Sequence, residues 1–167
     1  FGRDFRAAVL RAEEAVDGAR ALGLVYEVAV NLHNLGDFLI RLEDYPRAYG
    51  AIRQSLDLAQ EGGFERLVHH DRMFLAFLDG IAGEMRAEER LMTGIEYAEE
   101  HDYTWDALNG RTLLATLLKR RGELVRAREE FEIALTEARD SGNRLLADDC
   151  EAALAALPTP SMLPPAG

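Results

Sequence analysis

Cysteine, proline and long apolar runs are scarce in this sequence, and each scarcity excludes a class of protein. Cys150 is the only cysteine in 167 residues, so no internal disulfide is possible and a cytoplasmic location is expected. Four of the five prolines fall in the last ten residues, which leaves the body of the chain almost free of helix breakers. No apolar run approaches the roughly 20 residues of a membrane-spanning helix, and no signal peptide is recognisable, so a membrane partner is not expected.

The charge balance is acidic along most of the chain. Thirty acidic residues against 19 lysines and arginines give a net charge of −11, which repels a phosphate backbone and argues against a nucleic-acid partner. Hydrophobic residues make up 48% of the chain, enough to bury a core. Because Cys150 follows an alanine-rich stretch near the end of the chain, we expect its thiol to be buried and inert.

An internal repeat is the most informative feature of the sequence. Ala19, Ala59, Ala98 and Ala138 each end a similar segment, at spacings of 40, 39 and 40 residues. Apolar residues precede each alanine at spacings of three and four, and a polar break that often contains glycine follows it. This pattern is typical of amphipathic helices that end at a left-handed residue.

Eight helices are predicted from this periodicity. They cover about 3–21, 23–42, 46–61, 65–82, 86–101, 104–120, 124–140 and 143–156. The predicted core consists of the apolar residues that recur in phase: Leu35, Leu39, Ile52, Leu56, Phe74, Leu78, Leu91, Ile95, Leu114, Leu118, Phe131 and Leu135.

Two segments carry a family resemblance. Leu35-Gly36 followed by Tyr45, Ala48, Ile52 and Ser55, and Gly122-Glu123-Leu124 followed by Ala127, Phe131 and Ala134, resemble the tetratricopeptide repeat. The period near 40 is similar to the longer repeats of bacterial signalling and regulatory proteins. The second unit departs most from the motif, with Leu75 where the glycine is expected and Gly83-Glu84 at the turn.

The resemblance implies an all-α fold, a right-handed α-solenoid of antiparallel helix pairs. Residues 1–157 would form the array: the second helix of a partial repeat (3–21), repeats over about 23–61, 65–101 and 104–140, and a terminal helix (143–156). Residues 158–167 would form a proline-rich, extended tail that lies against apolar surface. Because the chain starts without methionine and in mid-repeat, we expect a fragment of a longer protein. The uncovered first helix or the tail could then support a homo-oligomer.

Arrays of this kind work through their surfaces, so the expected function is a scaffold or sensor module that binds a protein or peptide in its concave groove. A structural spacer or self-association domain is the alternative. An enzyme is not expected, because the sequence contains no G-x-S-x-G motif, P-loop or glycine-rich phosphate loop, and no cofactor is expected either. Alignment of the repeats places the partner-binding residues on the inner helix face: Val30, His33, Asp37, Ile40, His69, Arg72, Ala76, Asp79, Asn109, Thr112, Thr116 and Lys119.

Several polar residues have a second possible role. His33 and His69 are expected to face the groove and His70 to point elsewhere, and no metal site is expected because no further ligands have the required spacing. Asp71 and Arg111 occupy positions that are usually apolar, so contacts between neighbouring repeats are expected rather than catalysis. Trp105 could cap an apolar side or anchor a partner.

The distribution of charge is uneven in the second half of the chain. Residues 84–106 carry a net charge of −6 and residues 119–128 a net charge of +4. Two interpretations remain open at this point. Neighbouring repeats could neutralise each other, or the surface could steer a charged partner.

Overall fold

The computed structural model describes residues 4–158, and within this range the chain is helical without a β-strand. Every helix end lies within two residues of its predicted position, so the predicted all-α fold is confirmed. The right-handed superhelical sense stays a prediction. The helices are α1 (Phe5–Ala21), α2 (Val25–Arg41), α3 (Tyr45–Gly62), α4 (Glu65–Ile81), α5 (Ala87–Glu100), α6 (Thr104–Arg120), α7 (Leu124–Asp140) and α8 (Arg144–Ala155).

The seven turns that join these helices share one backbone closure. In each turn one residue adopts a positive φ, and the N–H of the next residue bonds to the carbonyl oxygen five positions earlier, as Leu24 does to Ala19 at 3.0 Å. These turn residues are Gly23, Glu43, Gly63, Gly83, Asp102, Gly122 and Gly142. Successive turn residues lie 20 positions apart, except for the interval of 19 between Gly83 and Asp102. The 40-residue period is therefore two helix-and-turn units of 20 residues.

The chain forms two compact units, with the boundary between Leu78 and Asp79 inside α4. In unit 1 (residues 4–78), α2 packs against α1 and α3. Gly36 allows a close approach of α2 to α3, since a Cβ at this position would lie 2.4 Å from Cδ1 of the buried Ile52. The Leu35-Gly36 pair therefore has a packing role in this unit.

In unit 2 (residues 79–158), α6 packs against α5 and α7, and α7 packs against α8. Phe131 of α7 and Cys150 of α8 belong to one apolar cluster, together with Leu108 and Ala115 of α6. The predicted core is confirmed at every position except Leu135, which is only partly buried against this cluster.

The proline-rich tail falls almost wholly outside the described residues. Its first residue, Pro158, accepts a hydrogen bond through its carbonyl oxygen from Nη2 of Arg128 at 2.8 Å. The prediction that residues 158–165 lie extended against apolar surface concerns residues 159–165, which are not described, and stays a prediction.

Candidate functional site

The predicted partner-binding row is out of register by one residue on α4. The left-handed residues Glu43 and Gly83 follow α2 and α4, so these helices correspond at an offset of 40 residues, whereas the prediction used 39. The α4 equivalents of Val30, His33, Asp37 and Ile40 are therefore His70, Met73, Phe77 and Gly80, which are all buried. They replace the predicted His69, Arg72, Ala76 and Asp79.

The corrected register also removes an apparent departure from the repeat pattern. The equivalent of Gly36 is Ala76 and not Leu75, and Ala76 has no exposed surface. Its small side chain takes the same place in α4 that Gly36 takes in α2. Ala76 was predicted to contact a partner, and that prediction was wrong because the residue is 0% exposed.

The other predicted residues of unit 1 differ in exposure. His33 is buried and cannot line an open groove, which corrects the prediction that it does. Val30, Ile40, His69 and Asp37 are partly buried, and the Asp37 carboxylate pairs with Nε of Arg41 at 3.3 Å. Arg72 is exposed, and it forms no hydrogen bond or ion pair with any residue between 4 and 158.

In unit 2, most of the predicted polar residues are already engaged. The hydroxyl of Thr112 donates to the carbonyl oxygen of Asn109 at 2.8 Å, and that of Thr116 donates to Thr112 at 2.7 Å. The carboxylate of Asp79 accepts from Nη1 of Arg90 at 2.7 Å, and Asn109 itself is buried. Lys119 is exposed.

Three helices of unit 1 meet in a buried polar cluster. Asp71 of α4, which is 0% exposed, lies between His33 of α2 and Ser55 of α3. Nδ1 of His33 is 2.7 Å from Oδ1 of Asp71, and Oγ of Ser55 is 2.7 Å from Oδ2. Oγ of Ser55 is also 2.9 Å from the carbonyl oxygen of Ala29. Contrary to the prediction, His70 does not point away from His33, because the two imidazole centroids lie 4.2 Å apart.

Burial controls the protonation of this cluster. It raises the pKa of Asp71, and the hydrogen bonds from His33 and Ser55 only partly oppose that rise. The single hydroxyl hydrogen of Ser55 cannot serve two acceptors fully. A protonated Asp71 resolves this conflict, because Asp71 then donates to Ser55 and Ser55 donates to Ala29. Burial likewise lowers the pKa of His70 well below its usual value, and the positive charges of His33 and Arg66 lower it further.

The arrangement of these residues does not suit nucleophilic catalysis. In a Ser-His-Asp triad the imidazole lies between the serine and the carboxylate, whereas here the carboxylate lies between the serine and the imidazole. No base contacts the Ser55 hydroxyl to remove its proton, and Ser55 has no exposed surface to meet a substrate. The cluster therefore joins α2, α3 and α4, which is the inter-repeat contact expected for Asp71.

Arg111 makes the corresponding contacts in unit 2. Its guanidinium pairs with Glu99 of α5 and with Glu130 and Glu137 of α7, the last two at 3.2 and 3.6 Å. The expected inter-repeat ion pair at Arg111 is confirmed. Among residues 4–158, no group of three or more histidine, cysteine or carboxylate side chains is placed to hold a metal ion.

The uneven charge distribution is partly neutralised inside unit 2. Arg126 pairs with Glu88, and Arg121 lies 3.6 Å from the same carboxylate and donates to the carbonyl oxygen of Glu84 at 3.1 Å. Compensation between neighbouring repeats thus accounts for part of the basic segment. Glu96 of α5 forms no ion pair with any described residue, so the acidic segment is not fully compensated.

Comparison with known proteins adds no identification. No model of a known protein family matches the sequence, and no curated protein matches it. Over residues 4–158, no helix is both long enough and apolar enough to cross a membrane.

Two exposed methionines were not among the predicted site residues. Met85, just before α5, is 89% exposed, and Met92 on α5 is 45% exposed. A signal for them was present in the sequence, because they are seven residues apart on the side of the helix opposite to its core stripe. Trp105, for which capping and anchoring were both open, is 50% exposed.

Proposed function

We propose that this chain is a tetratricopeptide-type helical scaffold that binds a protein or peptide, within a cytoplasmic bacterial signalling or regulatory protein. The observation that carries the proposal is the regular turn: seven identical closures divide the described chain into helix-and-turn units of 20 residues. Repeats built in this way bury their common positions and leave the differences between copies at the surface. Their function is then recognition by exposed side chains.

Arg72 is the best candidate for a partner contact in unit 1. It is exposed and has no partner among the described residues, whereas its repeat equivalent Arg111 is held by three carboxylates. A free guanidinium on a rigid helix can bind a carboxylate of a ligand with two parallel hydrogen bonds. Its neighbour Asp71 is fixed by the buried cluster, so α4 presents Arg72 from a well-packed element.

The test is to isolate binding proteins by affinity capture, purify the strongest candidate and measure its affinity by calorimetry. Arg72→Ala should weaken binding by tenfold or more, since loss of a charged hydrogen bond costs about 1.5–3 kcal/mol. Arg139→Ala is the matched control, because Arg139 is exposed and paired only with Glu151. Equal losses from both substitutions would reject the Arg72 contact, and failure of every purified candidate to bind would reject the scaffold function.

Self-association is the alternative that a specific observation favours. Leu10 of α1 is 62% exposed and Leu22 at the end of α1 is 74% exposed, so apolar surface is available in unit 1. Light scattering after size-exclusion chromatography would show a dimer that Leu22→Ser converts to monomer. A monomer at all concentrations would remove this alternative.

A further inference from the structure

The outer stripe of α5 differs from the equivalent stripes of α3 and α7. It consists of six residues that share one side of the helix and line a shallow groove of about 420 Å³: Met85, Glu88, Glu89, Met92, Thr93 and Glu96. The α3 stripe contains Arg53 and the α7 stripe contains Arg128, whereas the α5 stripe contains no basic residue. Two methionines and three glutamates are therefore brought together only in this copy of the repeat.

A shortened turn explains the exposure of Met85. Ala48 and Ala127, the first buried alanines of α3 and α7, lie five residues after a left-handed turn residue, but Ala87 lies four after Gly83. The missing residue belongs to the segment 84–86, where the backbone N–H of Arg86 bonds to the Glu84 side chain at 2.9 Å. Met85 lies within this segment and keeps 89% of its surface exposed.

The two methionines are suited to docking an apolar side chain. An unbranched thioether adapts to differently shaped partners, and exposed methionines are common on surfaces that accept amphipathic helices. Met85 and Met92 are two helical turns apart, which matches the spacing of apolar residues along a partner helix. The core side of α5, formed by Ala87, Leu91 and Ile95, is already buried.

Charge selects the kind of helix that fits. Glu88 is bound by Arg121 and Arg126, and Glu89 pairs with Arg86 at 3.0 Å, but Glu96 and Glu100 form no ion pair with a described residue. The last turn of α5 contains no basic side chain, so these carboxylates add to the negative end of the helix dipole. A positively charged partner would relieve this repulsion.

We propose that the outer stripe of α5 docks a basic amphipathic helix of a partner protein, with its apolar residues on Met85 and Met92 and its lysines or arginines toward Glu96 and Glu100. This inference rests on the proposed function and names the chemistry of one partner. It assigns binding to the outer side of α5, separate from Arg72.

The experiment uses the whole chain with methionines labelled by ¹³C at the ε-methyl group. The probe is a fluorescein-labelled, 18-residue peptide of leucine and lysine in amphipathic helical order. Controls are a scrambled peptide of the same composition and a peptide with glutamate in place of lysine. The methyl signals of Met85 and Met92 should shift on addition of the amphipathic peptide, while that of Met73, which is 2% exposed, should not.

Anisotropy titrations give the affinities of the variants. Met85→Ser combined with Met92→Ser should weaken binding at least tenfold, and Glu96→Gln combined with Glu100→Gln should reduce both the affinity and its dependence on salt. The matched control substitutes serine for Val125 and Ile133, the half-exposed apolar residues on the same side of α7, and should change the affinity less than twofold.

Four results would overturn the inference: no binding, equal binding of the scrambled peptide, equal losses in the α7 control, or methionine shifts that depend on protein concentration without peptide. The last result would assign the stripe to a second copy of the chain. If a captured partner requires Arg72 but tolerates the methionine substitutions, this inference fails while the proposed function stands.

Discussion

Acidification should destabilise unit 1 through His70. The pKa of the buried imidazole is lowered well below 6.5, so the unfolded chain takes up a proton near that pH while the folded chain does not. Stability is therefore lost as the pH falls below about 6.5, at up to about 1.4 kcal/mol per pH unit. Between pH 7.5 and 5.5 this single group should cost about 1.4 kcal/mol. Asp71 acts in the opposite sense, because its raised pKa lets the folded state bind a proton first as the pH approaches 3.8.

The assay is urea unfolding followed by circular dichroism at pH 7.5, 6.5 and 5.5, with hydrogen exchange of the α2 and α4 amides to assign the change to unit 1. His70→Phe keeps an aromatic ring against His33 and Phe74, so it should remove the slope with pH while shifting all free energies by a constant. His101→Gln, which alters an exposed imidazole in unit 2, should keep the wild-type slope. If wild type and His70→Phe lose stability in parallel, the argument from burial is refuted.

Three further predictions follow from the fold. Glu43→Gly should stabilise the protein by up to about 1 kcal/mol in thermal unfolding, and by more than Asp102→Gly, because glutamate tolerates its φ of 59° less well than aspartate tolerates 57°; an equal or reversed order would contradict this. Burial raises the pKa of Cys150 to about 11, so its alkylation at pH 8 should be at least about 100-fold slower than in urea, and comparable rates would show an open site. Phe131→Ala should cost about 3–5 kcal/mol, and an unchanged melting temperature would contradict its burial.

Helix positions could be predicted well because local chemistry and tertiary packing agree. Asp44 caps α3 by accepting from the backbone N–H of Arg47, and Pro46 lies in the first turn, as the sequence indicated. Left-handed glycines end most of the helices where the polar breaks predicted an end. Where these signals are weaker, at Glu43 and Asp102, the apolar phase on either side still fixes the turn.

The error in the register of α4 has a simple physical origin. The alanines that end the outer helices show that one residue is missing between Ala59 and Ala98, but they do not show on which side of α4 it is missing. A missing residue is accommodated in a turn at little cost, so composition does not locate it. Only the backbone places it in segment 84–86, after α4. The shift of one residue rotates a helix face by about 100°, which is why His70 and not His69 meets His33.

Arg72 and Arg111 show how function can diverge on a repeated scaffold. They occupy equivalent positions on α4 and α6, yet Arg111 is neutralised by Glu99, Glu130 and Glu137. The repeat equivalents of those carboxylates are Gln60, Arg90 and Tyr97, none of which is acidic. A guanidinium that serves cohesion in one copy is thus left without its counter-charges in the other. An uncompensated charge contributes nothing to cohesion, so the positions where copies differ, rather than those where they agree, are where a partner is to be sought.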